Sequence, residues 1–162
     1  MHSKIFQIGN KPIDQEAYVT PSDFYENHEP WADYVGEPVD DAEEIREYVK
    51  GLADCMKGVL TLNDDNTLTY QGEEKLRAFK QEWVDYLRSL VIGLTADNIL
   101  TNQNLWRIEK AVERSHVDRC SRFYIDAWNG WAGPMQDFIE FIDHSLKKGD
   151  RIYVGAIIDF HW

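Results

Sequence analysis

Asp159 and His161 stand two positions apart in a run that reads as a β-strand, so both side chains fall on one side of it. Tyr153 shares their parity. A carboxylate that orients an imidazole is the arrangement of general-base and metal sites, because it fixes which ring nitrogen carries the proton. Asp159, His161 and Tyr153 are therefore the candidate catalytic residues of a small enzyme. No Ser or Cys nucleophile is tied to them by any pattern, and a surface-facing polar pair is the plainer explanation.

Other chemistry-bearing spacings are weaker. His116 and Cys120 share a helix face if the helix before them continues past Arg114, and zinc binds both residue types. Two ligands do not make a site, and Arg114, Arg119 and Arg122 repel a cation, so no metal is expected. Asn63-Asp64-Asp65-Asn66 lacks the Gly and distal Glu of a calcium loop and reads as a hairpin turn. Phe123, Tyr124, Trp128 and Trp131 gather around a Gly-containing loop, as sugar or base platforms do, but core packing explains them. Phosphate-binding glycine loops, the G-x-S-x-G elbow and H-E-x-x-H are absent from the sequence. No cofactor is expected.

One stretch points to binding rather than catalysis. Asp23, Glu26, Glu29, Asp33 and Glu37 alternate with aromatic residues, among them Trp31 and Tyr34. Rings supply anchoring area and carboxylates steer a basic partner, which makes Asp23, Glu26, Glu29, Trp31, Asp33, Tyr34 and Glu37 the candidate partner-binding residues. The alternative is a solubilising loop whose rings pack on the core. The charge distribution bears on the kind of partner the first reading implies. The formal net charge is −12, and residues 14–47 hold 12 carboxylates against the single cation Arg46. Such a surface repels phosphate, so neither direct nucleic-acid binding nor an anionic membrane is expected. The expected partner is a basic protein, and mimicry of DNA to inhibit such a protein is one version of that idea. Oligomeric state is not legible.

The elements that must position these residues follow from periodicity. The chain of 162 residues has the length of one domain, 1–162, and buries roughly 70% of its unfolded surface. Six Trp, eight Tyr and seven Phe supply core material. Two cysteines, Cys55 and Cys120, form no disulfide framework and read as reduced thiols of a cytoplasmic protein. Neither a signal segment nor a membrane-length apolar run is visible.

Residues 4–8 read as a strand, and the chain to Val39 as loop with one helical turn at Thr20-Pro21-Ser22-Asp23. A helix capped by Asp40 carries Ile45, Val49, Leu52 and Met56 on one face. Residues 59–62 and 67–70 form a hairpin. After Gly72, Leu76, Phe79, Trp83, Leu87, Leu90 and Leu94 line one helical stripe, and a further helix covers 96 to about 114. Residues 121–128 read as a strand, and Trp131 sits in a loop. A helix follows Pro134, and residues 151–162 form the last strand. In that strand Ile152, Val154, Ala156, Ile158, Phe160 and Trp162 are predicted to share one face. The order predicts an α+β domain: a mostly antiparallel sheet that includes the N- and C-terminal strands, packed with about four helices.

The segments MHSKIFQI (1–8), TADNIL (95–100) and RIYVGAIIDFH (151–161) resemble a family of small, acidic, uncharacterised proteins from gut anaerobic bacteria. The resemblance covers the terminal strands and one internal segment. It implies a bacterial, single-domain protein and supplies no site residue.

Overall fold

A computed structural model describes residues 2–25, 32–113, 121–128 and 131–161. Among them the strands are β1 (His2–Gly9), β2 (Tyr34–Pro38), β3 (Leu60–Leu62), β4 (Leu68–Tyr70), β5 (Arg122–Ile125), β6 (Ala132–Gly133) and β7 (Arg151–His161). The helices are α1 (Pro21–Tyr25), α2 (Ala42–Cys55), α3 (Glu73–Ile92), α4 (Asn102–Glu113) and α5 (Met135–Ser145). The fold is α+β, with the first and last strands paired, as the order of elements predicts.

The seven strands of the described residues join one sheet, six of them in the order β3-β4-β7-β1-β5-β6, with β2 paired to β7 off that path. The eleven-residue β7 is its centre. It runs antiparallel to β1 along one side and carries β4 at its start and β2 at its end along the other. Among the described residues only the β1–β5 pair is parallel. Two segments expected as loop are thus strands. β2 exists because the second half of β7 leaves an edge of unpaired backbone that this segment satisfies. Beside β5, β6 does the same on a smaller scale.

The local chemistry of two helix starts is clear. At α1, the Thr20 backbone N–H donates to Asp23 Oδ2 at 2.7 Å, with Pro21 in the first helical position. At α2 the cap is Asp41 rather than Asp40. Its backbone is extended (φ −75°, ψ 120°), and its Oδ1 accepts from the N–H groups of Glu43 and Glu44 at 3.0 and 2.8 Å.

A bulge in β7 divides the core in two. Phe6 stands opposite Ile157 but Ile8 stands opposite Val154, so β7 holds one extra residue across from Gln7. The extra residue reverses the alternation of faces. Ile152 and Ile157 join the larger core with Phe6, Ile8, Val49, Leu52, Leu76 and Phe138. Ala156, Ile158 and Phe160 join a smaller core on the opposite face with Ile5, Val19, Phe24 and Val35. The single apolar face predicted for this strand is therefore two half-faces. Gln7, only 1% exposed, pins the bulge. Its Oε1 accepts from Val19 N and Ala156 N at 3.1 and 3.2 Å, and its Nε2 donates to Ala17 O and Asp126 Oδ1 at 2.9 and 3.0 Å. A Cβ on Gly155 would lie 2.7 Å from that same Oε1, which is why the bulge carries glycine.

The stripe of α3 outruns the sheet. Leu76 and Phe79 are buried in the larger core, while Trp83, Leu87 and Leu90 are only half-buried, where α3 packs on α4. Around this helical pair Ile92 is 88% and Leu100 81% exposed, and Val91, Leu105 and Trp106 also face solvent. Among the described residues, no helix is long and apolar enough to cross a membrane.

Candidate functional site: paired histidines beside an acidic segment

The alternation set by the bulge decides which polar residues meet. Beyond it, Asp159 and His161 share the face of Ile157, on the side covered by the larger core. Tyr153, before the bulge, falls on the opposite face and pairs with Gly9 at the far end of the strand. It lines a separate polar hollow of about 400 Å³ with Asn10, Ser145, Asp150 and Arg151. The equal parity of positions 153, 159 and 161 does not bring their side chains together.

Nor do Asp159 and His161 bond each other. Asp159 Oδ2 accepts from His2 Nδ1 at 2.6 Å and its Oδ1 from Lys4 Nζ at 2.8 Å. His161 Nδ1 instead meets Asp33 Oδ1 at 2.7 Å, and the Asp33 backbone N–H donates to the His161 carbonyl at 3.0 Å. The structure therefore builds two His–Asp pairs where the sequence suggests one. They are neighbours, because His2 stands directly across from His161 in the β1–β7 ladder, with ring centres 5.2 Å apart. Tyr34 stands across from His161 on the other side, so one row of three strands presents Tyr34, His161 and His2 on a common face.

Electrostatics make the pairs definite. Burial alone raises the Asp159 carboxyl, but the hydrogen bonds from Lys4 and His2 outweigh it and hold the group below its ordinary value. Asp33 is lowered by its hydrogen bond from His161. Both carboxylates are therefore ionised, and each faces a histidine Nδ1. Lys4 would be lowered by burial, yet its contacts with Asp159 and Tyr48 raise it. Its Nζ lies 4.6 Å from the centre of the Tyr48 ring. That contact ties α2 to this end of the sheet, and Tyr48 donates within the helix to Glu44 Oε1 at 2.5 Å.

Of the predicted partner-binding residues, the structure joins Asp33 to a predicted catalytic residue, His161. Tyr34 is 50% exposed, and Glu37 is exposed in β2. Asp23 is engaged at the start of α1. Glu26, Glu29 and Trp31 lie outside the described residues, as do the metal candidates His116 and Cys120. Cys55 is half-buried. Of the loop aromatics, Phe123 is core, whereas Trp128 and Trp131 are 37% and 48% exposed.

Sequence reasoning missed His2 and Lys4 as members of this cluster. The predicted pairing of the terminal strands was the available signal, but it carried no register. Comparisons with protein-family models, with curated proteins and with solved structures found no match.

Proposed function

We propose that the protein is a non-enzymatic interaction module whose acidic face receives a basic protein. An inhibitor that occupies the basic groove of a nucleic-acid-binding partner is one form of this role. The observation that carries the reading is an exposed run of carboxylates left without cations. Glu37, Asp40, Glu43 and Glu47 are exposed, and among the described residues no lysine or arginine bridges them. Arg46, the one cation in that run, is turned onto the β3–β4 turn, where its Nη1 donates to Asn66 Oδ1 at 2.9 Å and to the carbonyls of Asn63 and Asp64. Glu43 and Glu47, one helical turn apart, remain to steer a partner. The enzyme alternative has weaker support, because Asp159 bonds Lys4 and His2 rather than His161.

The test is capture of host proteins at about 50 and about 300 mM salt, by the wild type and by a variant with Glu37→Gln, Asp40→Asn, Glu43→Gln and Glu47→Gln. A specific basic partner should be held at low salt, released at high salt, and bound at least about tenfold more weakly by the variant, about 1.4 kcal/mol. Equal retention by both proteins at both salts removes the proposal.

A second reading, self-association, is favoured by the helical pair. Besides the exposed Ile92, Leu100 and Trp106, the Trp83 Nε1 is buried there without an acceptor among the described residues, so this region is short of both apolar cover and a hydrogen bond. Sedimentation over a hundredfold concentration range should then show a dimer that Ile92→Lys with Leu100→Lys converts to monomer. A monomer at every wild-type concentration ends this reading.

A further inference from the structure

We propose that His2 and His161 form a binding site for a borderline-soft divalent transition cation, of the class of Zn²⁺, Ni²⁺ and Cu²⁺. The inference does not rest on the acidic-face reading. Three observations carry it. The first is position: the two histidines are direct cross-strand partners, so their side chains leave the sheet on one face from adjacent strands.

The second is spacing. A zinc–imidazole bond is about 2.0–2.1 Å, which puts each ring centre about 3.2 Å from the metal. Two such rings at the tetrahedral angle have centres about 5.2 Å apart by that geometry. The observed separation is 5.2 Å, with the rings tilted by 59°.

The third is the outer contact of each ring. Both Nδ1 atoms are held by a carboxylate, His2 by Asp159 and His161 by Asp33. That is the contact which orients metal-ligating histidines, and because it engages Nδ1, Nε2 is the nitrogen each ring can offer a metal. Among the described residues, neither Nε2 has a hydrogen-bond partner.

The local charge favours a cation. Asp33 and Asp159 contribute two negative charges and Lys4 one positive, within a chain of net charge −12. Among the described residues, no group of three His, Cys, Asp or Glu converges on one point. The site is therefore a two-imidazole chelate whose remaining positions are filled by water. Such a site selects nitrogen-seeking metals over Mg²⁺, which requires oxygen ligands.

The experiment is titration of the full chain with Zn²⁺ at pH 7.5, followed by calorimetry and by ¹⁵N spectra of the histidine side chains. One Zn²⁺ per chain is expected, with Ni²⁺ and Cu²⁺ competing and Mg²⁺ in excess failing to compete. His2→Ala and His161→Ala should each weaken binding at least about tenfold, and Asp33→Asn about tenfold through loss of the orienting contact. Asp97→Asn, an exposed carboxylate elsewhere, should change nothing. In the wild type the Nε2 resonances of two histidines should shift while their Nδ1 remain protonated, a readout that survives even if a variant fails to fold. Undiminished Zn²⁺ affinity in the double His2→Ala, His161→Ala protein, or shifts absent from both Nε2 signals at saturation, overturns the proposal.

Discussion

Replacing Gln7 by Leu is expected to lower stability by about 3–5 kcal/mol, although the two side chains are close in volume. The leucine leaves the Val19 and Ala156 N–H groups without the oxygen they now share at 3.1 and 3.2 Å. Each buried donor left unmet costs about 1–3 kcal/mol. The Ala17 carbonyl and Asp126 also lose a donor. The effect should extend beyond one contact, because Gln7 joins the bulge of β7, the 17–19 segment over the smaller core and the turn after β5. Urea unfolding would show a lower midpoint with an unchanged slope. A loss under about 1 kcal/mol would mean that the bulge satisfies itself by other means.

Phe138→Ala should cost a similar amount, about 3–5 kcal/mol, for a wholly apolar reason. Phe138 is fully buried on α5 and lies 4.5 Å from Phe123, nearly parallel to it at 5°. Phe123 in turn stacks on Phe6 at 5.8 Å. The column joins α5 to the parallel pair β5 and β1, and truncating its outer ring leaves a cavity that two rigid strands cannot close. At roughly 2–4 °C per kcal/mol for a protein of this size, the melting temperature should fall by about 6–20 °C. Phe138→Leu, which restores most of the volume, should recover more than half of the loss. Equal destabilisation by both substitutions would place the effect in the ring stacking rather than in filled space.

The contrast between these two sites shows what was readable from residues alone. Phe138 lies on a helical stripe with Met135 and Ile142, and periodicity places it inside. The terminal strands and the hairpin were legible for the same reason. Gln7 was not, because a polar residue in an apolar strand reads as facing water unless its four partners are known. The bulge was equally hidden. Gly155 is its sole local trace, and a glycine within a strand signals irregularity without saying which way the alternation turns. Misplacing Tyr153 followed directly. β2 read as loop because Gly36 and Pro38 weaken strand propensity, and only the free edge of β7 makes a strand of it. The candidate site was half visible. Asp159 and His161 were found by spacing, but their true partners are His2, 157 positions from Asp159, and Asp33, 128 positions from His161. Register decides such pairs, and register is a property of the assembled sheet.

The place of β7 in that sheet bears on how the protein is made. The strand touching β1, β2 and β4 at once is the last of the described elements to leave the ribosome. Until then, β1 has its apolar residues 5, 6 and 8 synthesised with their antiparallel neighbour missing. The sheet therefore closes only once residues 151–161 have been translated, through contacts of long sequence separation that form slowly. A nascent chain stalled short of residue 151 should hold helices and the β3–β4 hairpin yet expose a sticky N-terminal strand, a natural target for chaperones that survey unfinished proteins.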